Sequence, residues 1–402
     1  MTLLVATQDP NTPSETYVRQ HMRLVAPGAT VGVAFQDTGT QQLDIPFHVV
    51  RRNAGPLARK LMTIYGLCAH GFAGTPVGAT RTALRDFMKQ NDVSVVLAEF
   101  GPTGAALRSL CRELNIPLVV NFHGYDATVM PRSRLVRHAY RLLARDAQAI
   151  IGGSEHFRER LIELGFAPDK VHVVPCGIET ERFGRASDRN GRRLVAVGRL
   201  TPKKAPQLTL QAVAHARAEV PDLTLDIIGN GPMYAACEAE ITRLGLSDAV
   251  TLHGALDHDA VRKVLAQADV FVQHSVVAPN GDTESQGISL VEAMASNLPV
   301  VATDHNGFSE TVTHGQTGYL VPEGDVEQMG QHLITLLQDP VLRQTMGNAG
   351  RAHAVEHFDA VPVTNRMRKV LGRFATPWES AGFDKLGRYT ITQNLDDPEF
   401  LE

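Results

Sequence analysis

Short apolar runs alternate with amphipathic stretches along most of the chain. Leu3–Ala6, Thr30–Phe35, Ser94–Glu99, Leu118–Phe122, Ala149–Gly152 and His172–Val174 are rich in β-branched or other apolar residues and flanked by polar breaks. Runs of this kind predict strands covered on both faces. A second series starts at Arg193–Gly198 and continues through Leu223–Ile228, Val250–His253, Val270–Gln273 and Pro299–Ala302 to Tyr319–Val321. Strands separated by helical patterns predict doubly wound parallel α/β sheets, and two series predict two sheets. In Ile178–Arg192 the apolar periodicity lapses and Glu, Arg, Gly, Asp and Asn crowd together, which predicts an exposed linker. The expected domains are therefore residues 1–180 and 190–355. Residues 356–402 follow as a helix over Asp359–Phe374 and an acidic tail that is either solvated or packed back on the first domain.

Length and composition agree with this division. A chain of 402 residues with 43% hydrophobic and 20% charged positions has the makeup of two ordinary globular cores. No apolar run approaches the roughly 18 residues of a spanning helix. Met1 leads directly into Leu3-Leu4-Val5-Ala6, with no basic leader region or small-residue cleavage site, so no secretory signal is expected. Cys68, Cys111, Cys176 and Cys237 lie far apart without C-x-x-C spacing, which argues against a disulfide framework or zinc site and favours a reducing cytoplasm. The formal charge of −4 hides an asymmetry, because residues 51–145 hold 14 Lys and Arg against 5 Asp and Glu. An anionic partner is expected to meet the first half.

The most specific chemical pattern is Glu284-Ser-Gln-Gly-Ile-Ser-Leu-Val-Glu292, followed by Ala293-Met294-Ala295 and the strand run Pro299–Ala302. Gly287 ends a polar loop, and Ile288–Ala295 reads as a helix stopped by Asn297 and Pro299. The first turn therefore points its free N–H groups and the positive end of the helix dipole towards the loop mouth, where a phosphate would bind. Glu292, about one turn inside, leans back towards the same mouth, while Glu284 reaches it from the loop. Gly198-Arg199-Leu200-Thr201-Pro202-Lys203-Lys204 leaves the first strand of the second series at its carboxyl end, where such sheets bind ligands. Arg199 and Lys204 suit a diphosphate there. Gly229-Asn230-Gly231-Pro232 and the Gly254 turn close the next two strands on the same edge.

In the first half, His123-Gly124-Tyr125-Asp126 places an imidazole and a carboxylate directly after a strand, and Ser14-Glu15 opens a helix after the first one. That first turn lacks the G-x-G-x-x-G of a dinucleotide enzyme. Arg134, Arg137, Arg141 and Arg145 share one helical face opposite Leu135, Ala139, Leu142 and Leu143. The basic face is either plainly solvated or meets an anionic membrane surface or a pyrophosphate-linked acceptor.

Taken together, the E-x7-E element with EAMA and PVVA, GRL…KK at 198–204, IIGNGP at 227–232 and Gly307–Glu310 resemble glycosyltransferase family 4. PSET at 13–16 and FHGYD at 122–126 are similar to the colanic acid and amylovoran exopolysaccharide branch. The resemblance implies the GT-B fold, two Rossmann-like domains facing across a cleft, and retaining transfer from a nucleoside-diphosphate sugar, UDP- or GDP-linked. The implied acceptor is a saccharide or lipid-linked saccharide, with no nucleic acid partner, and the implied setting is cytoplasmic, either free or peripheral on the inner face of the membrane. By position it implies Arg199 and Lys204 on the diphosphate and Glu292 on the ribose. Glu284 with the Gly287–Ser289 backbone would hold sugar and phosphate, Gly198, Gly229, Gly231 and Gly254 would line the donor site, and His123 would meet the reacting sugar. Ser14, Glu15, Tyr125 and Asp126 fall on the acceptor side, and neither metal nor cofactor is implied. The chain departs from the family pattern at Ser285-Gln286 in place of Gly-Phe, at Ala205 in place of Gly, at Cys176 in place of Asn, and in lacking a Gly-Gly loop after the first strand.

Three other readings share part of this pattern. Glycosylation of a small natural product would use the same donor residues. A sugar-nucleotide epimerase of the same fold would need acid and base carboxylates in the first half, where Asp126 and Glu15 are available, and would need no acceptor. A non-catalytic nucleotide-sugar-binding protein would be expected to have lost Glu284, Arg199 or Lys204, and all three are present.

Overall fold

The computed structural model describes residues 2–12, 15–36, 43–51, 55–186 and 190–375. Ser14 and the tail beyond residue 375 lie outside them. The strands are β1 Thr2–Thr7, β2 Thr30–Ala34, β3 Phe47–Val49, β4 Val93–Glu99, β5 Leu118–Asn121, β6 Ala149–Gly152, β7 Val171–Val173, β8 Arg193–Val197, β9 Thr224–Ile228, β10 Val250–Gly254, β11 Val270–Gln273, β12 Val300–Thr303 and β13 Gly318–Val321. The helices up to the second sheet are α1 Thr16–Leu24, α2 Pro56–His70, α3 Gly78–Gln90, α4 Gly101–Leu114, α5 Tyr125–Thr128, α6 Arg134–Asp146 and α7 Glu155–Glu163. Those that follow are α8 Pro206–Glu219, α9 Tyr234–Arg243, α10 His258–Gln267, α11 Ile288–Ala295, α12 Phe308–Thr311, α13 Val326–Gln338, α14 Pro340–Phe358 and α15 Ala360–Leu371.

Two sheets result, ordered β3-β2-β1-β4-β5-β6-β7 and β10-β9-β8-β11-β12-β13. The registered pairs are parallel throughout, as β1 with β2 and β4, and β8 with β9 and β11. Each predicted strand is present within a residue or two of its expected bounds. The edge strand β3 has no sequence prediction, because three residues carry too little periodicity to stand out. The described residues form two compact units, one drawn from 2–121, 138–150 and 364–375, the other from 122–137 and 151–363.

The second sheet shows why alternation within an apolar run matters. Leu194, Leu225, Ile227, Val270, Val272 and Val301 point into one core with Leu210 and Val213 of α8 and Leu333 and Leu337 of α13. Val195, Ile228, Phe271, Val300 and Ala302 point into the other with Leu265 of α10 and Leu290 and Met294 of α11. Successive strand residues face opposite sides, so a strand between two helix layers must be apolar at every position. This packing fixes the carboxyl ends of β8, β9, β11 and β12 on one edge.

Two expectations are corrected. The linker is not exposed at its start: Ile178, Thr180 and Phe183 are buried, Thr180 donates to Asp359 Oδ2 at 2.6 Å, and Phe183 joins the α10–α11 core. Polar composition hid two anchoring apolar side chains. In α6 the four arginines are exposed as expected, but Leu135 is exposed as well and Tyr140 takes its place among the buried residues. At the end of the described chain, Arg368 on α15 donates through Nε to the Val25 carbonyl at 3.0 Å and through its second amino group to the Leu24 carbonyl.

Candidate active site

The loop from β11 to α11 carries the site. Glu284 lies between two ammonium groups, with Lys203 Nζ 3.3 Å from Oε1 and Lys204 Nζ 3.3 Å from Oε2. The Lys203 contact is an ion pair without hydrogen-bond alignment, so Oε1 is buried with no hydrogen bond of its own. Lys203 also reaches Asp282 Oδ1 at 3.2 Å and the Thr283 carbonyl at 3.1 Å. Burial alone would push the Glu284 carboxyl up, but the positive charges of Lys204 and Lys203 beside it outweigh that and hold the group down to about 2. Burial lowers the Lys204 ammonium, the Lys203 and Arg199 charges add to that, and Glu284 opposes it. Two carboxylates, Asp282 and Glu284, and two ammonium groups, Lys203 and Lys204, are thus packed together with little exposure to solvent.

The backbone around Glu284 is held at each residue. The Glu284 N–H donates to His305 Nε2 at 3.2 Å, and Asn306 Nδ2 donates to the Glu284 carbonyl at 2.9 Å. Because Nε2 accepts from a backbone N–H, the proton of this buried imidazole is on Nδ1, which donates to Glu323 Oε1. Ser285 Oγ donates to the His123 carbonyl at 3.1 Å, and Ser154 Oγ donates to the Ser285 carbonyl at 3.1 Å. Gln286 makes a reciprocal pair with Cys176, accepting its N–H at 2.6 Å and donating to its carbonyl at 3.0 Å. Two departures from the family pattern therefore touch each other. The Gln286 amide is spent on backbone, and the residue is 3% exposed.

α11 begins where expected. Gly287 caps it at φ +78°, and a Cβ there would lie 2.6 Å from the Phe308 ring. Ser289 Oγ donates to Gln273 Oε1 at 3.0 Å, so its hydroxyl is oriented by the end of β11. Glu292 is 7% exposed and accepts from His258 Nε2 at 3.1 Å. Arg262 donates to His258 Nδ1 at 3.2 Å, which places the imidazole proton on Nε2.

The GRL…KK segment arranges its neighbours closely. Gly229 at φ +146° and Gly231 at φ +157° lie against residues 198–200, where added Cβ atoms would come within 1.9 Å of the Gly198 carbonyl oxygen and 2.4 Å of that of Leu200. Their missing side chains let two strand-end loops pack backbone to backbone. Gly229 N–H then donates to the Gly254 carbonyl at 2.8 Å, joining the third turn to the same edge. Arg199 is exposed, and with Lys204 it lines a small recess floored by Ala196, Ile227 and Gln273. Ala205 caps α8 in the left-handed region at φ +37°, the position where the family commonly has glycine.

The His123 turn joins this loop, since Gly124 lies near the Thr283 carbonyl and Ser285 Oγ as well. Asp126 is 2% exposed and accepts the N–H groups of His123 and Gly124, each at 3.0 Å, so its carboxylate fixes the turn. Tyr125 is exposed on α5, and Glu15 stands at the start of α1 without a side-chain capping bond to it. Sequence reasoning missed Lys203 as a partner of Glu284, and His258 and His305 as supports; the Lys203-Lys204 pair was the only local signal. Arg132, Arg137, Arg160, Thr283, Glu284 and Asn306 line part of one concave surface.

Two parallel doubly wound sheets, with cations, a helix start and two carboxylates at the strand ends of the second, define a glycosyltransferase of the GT-B class. Residues 23–182 match the model of Glycosyltransferase Family 4, and residues 177–353 that of Glycosyl transferases group 1. Among curated relatives, the chain is 30% identical over 289 residues to the amylovoran biosynthesis glycosyltransferase AmsK of Erwinia amylovora, covering 70% of each. It is 28% identical over 298 residues to the GDP-mannose-dependent alpha-(1-6)-phosphatidylinositol monomannoside mannosyltransferase of Mycolicibacterium smegmatis, covering 70% of this chain and 77% of that one. The structure of Anabaena HepE in complex with UDP-glucose superposes with a TM-score of 0.75 at 20% identity, over 93% of this chain and all of that one. The chain belongs to the family 4, group 1 glycosyltransferases and is an enzyme of that class.

Proposed function

We propose that the protein transfers a sugar, with retention, from a UDP- or GDP-linked donor to a hydroxyl of a lipid-linked saccharide in exopolysaccharide or envelope synthesis, working at the cytoplasmic face of a membrane. The observation that carries the donor reading is the Glu284–Lys203–Lys204 cluster beside the start of α11. Arg199, Lys204 and the free N–H groups of Ile288 and Ser289 offer fixed positive charge to a diphosphate, a task for which other transferases use a metal ion. In this reading no metal is required. Glu292 takes the ribose hydroxyls, held for that by His258.

The bond from the anomeric carbon to the diphosphate breaks while a bond to the acceptor oxygen forms on the same face. The acceptor proton passes to the leaving phosphate, so no carboxylate base is needed. His123, held beside Ser285, and Glu284 position the donor sugar. The exopolysaccharide setting draws on the likeness to the amylovoran enzyme. UDP is supported by the HepE complex and GDP by the mannosyltransferase relative. The arginines of the concave surface ending at Glu284 suit an acceptor with a phosphate bridge.

The test is donor consumption with UDP-, GDP- and ADP-sugars and a lipid-linked saccharide extract, with product stereochemistry read by NMR. Lys204→Ala is expected to lower turnover by roughly 10²–10³-fold with the circular dichroism unchanged. Unchanged kinetics in that variant, or no turnover with any donor, would overturn the reading.

A further inference from the structure

Strands β12 and β13 run parallel with Thr303 beside Val321, and the pairing continues one step further as the Asp304 N–H donates to the Val321 carbonyl at 2.7 Å. His305 and Glu323 each stand two residues beyond the registered pair, so their side chains leave the two strand ends on the same side. There Nδ1 of His305 donates to Oε1 of Glu323. The other carboxylate oxygen, Oε2, accepts the Val277 N–H at 3.1 Å, and the next residue, Gly324, donates its own N–H to His274 Nε2 at 2.8 Å. His274 and Val277 open the loop from β11 to α11, and Glu284, whose N–H donates to His305 Nε2, lies near its end. One short turn, Glu323-Gly324, thus grips that loop at three places, twice directly and once through an imidazole.

The residue types suit this role. Glu323 meets two N–H donors, one on each oxygen, and a carboxylate, unlike an amide, can accept at both. The His305 ring is 1% exposed. Its Nε2 faces two donors, the Glu284 N–H at 3.2 Å and Asn306 Nδ2 at 3.1 Å, while Nδ1 faces the carboxylate. Glu323 therefore keeps the imidazole proton on Nδ1 and leaves the Nε2 lone pair for the loop. An edge contact with Phe308, at 5.7 Å between ring centroids, holds the ring plane.

We propose that Glu323 is a positioning residue for the transfer, setting the place of Glu284 through the Nδ1-protonated imidazole of His305. The inference rests on the reading of Glu284 as a group that positions the donor sugar. Glu323 touches neither donor nor acceptor in this account, and acts by fixing where the Glu284 backbone sits. Its loss would separate binding from turnover, because Arg199 and the start of α11 would keep the nucleoside diphosphate while the sugar lost its alignment.

The test compares the wild type with Glu323→Gln, His305→Leu and His305→Gln, using the nucleotide-sugar that the wild type consumes. Glu323→Gln turns an amide NH2 towards one of the two N–H donors, and His305→Leu removes the acceptor of the Glu284 N–H. In both, kcat is expected to fall by roughly 10–100-fold while the Kd of the free nucleoside diphosphate, measured by calorimetry, stays within about threefold. His305→Gln sets a carbonyl oxygen near the place of Nε2 and is expected to be roughly fivefold or more faster than His305→Leu. Imidazole nitrogen NMR of the ligand-free full chain is expected to show His305 neutral and protonated on Nδ1, its signal being identified by its absence from His305→Gln. Unchanged kcat in Glu323→Gln, equal kcat in the two His305 variants, a nucleotide Kd weakened in step with kcat, or a proton on Nε2 of His305 would overturn the proposal. Should a variant fail to fold by circular dichroism, the remaining variants and the wild-type spectrum decide. A wild type that consumes no donor yet carries the Nδ1 proton would remove the transferase reading and leave the hydrogen-bonded clamp in place.

Discussion

The Glu284 cluster gives a prediction in which charge and packing can be separated. Glu284→Gln keeps the shape of the side chain and places a neutral amide between two ammonium groups whose Nζ atoms stood 3.3 Å from the carboxylate oxygens. Holding the carboxyl at about 2 in place of its ordinary 4.5 corresponds to about 3 kcal/mol of stabilisation of the charged form. Because the folded value lies below the unfolded one, that contribution is fully present above about pH 5 and is lost as the pH falls towards 2. Urea unfolding followed by circular dichroism should therefore show the variant about 3 kcal/mol less stable at pH 7, and the gap should shrink to about 1–1.5 kcal/mol at pH 3. Adding Lys204→Met to Glu284→Gln should destabilise by less than the two single losses together, because it removes one of the stranded charges. An equal loss at both pH values would assign the effect to packing, and a variant as stable as the wild type at pH 7 would refute the electrostatic account.

Two further substitutions test the loops around that cluster. Ala205→Gly should raise stability by about 0.5–1 kcal/mol, against the usual trend for glycine, because Ala205 holds a left-handed conformation at φ +37°; a lower melting temperature would refute it. Gln286→Glu should lower stability at pH 7 by about 2–3 kcal/mol, because a carboxylate oxygen would face the Cys176 carbonyl that the amide now serves as donor, and thermal unfolding at pH 7 and pH 4 should show the loss easing in acid.

Much of the second sheet can be read from the chain alone. A run such as Val270–Val272 is apolar at consecutive positions because both of its faces are covered, and that local fact is enough to place the strand. Ile288–Ala295 is likewise legible, since Gly287 and the residues after Ala295 mark its ends locally. The sheet architecture then puts Arg199, Lys204 and the start of α11 on the carboxyl edge by topology. What periodicity cannot supply is which side chains meet. The Lys203–Asp282 bond joins residues 79 apart, the Gln286–Cys176 pair 110 apart and the Ser285–His123 contact 162 apart.

The exposed apolar stripe of α2, Leu57, Leu61, Ile64 and Tyr65, shows the same limit from the other direction. Its amphipathic spacing is written in the sequence, but spacing alone implies that such a face is buried. Only the tertiary structure shows that Gly66 is the buried residue and the apolar stripe the open one. The sequence by itself determined the strands other than β3, their order and the residue types at the strand ends, because these depend on neighbours a few positions apart. The tertiary structure decided that Glu284 is held between two lysines, that Gln286 serves the backbone rather than a ligand, and which face of α2 meets solvent. Those outcomes depend on burial and on contacts between distant segments, which no local pattern encodes.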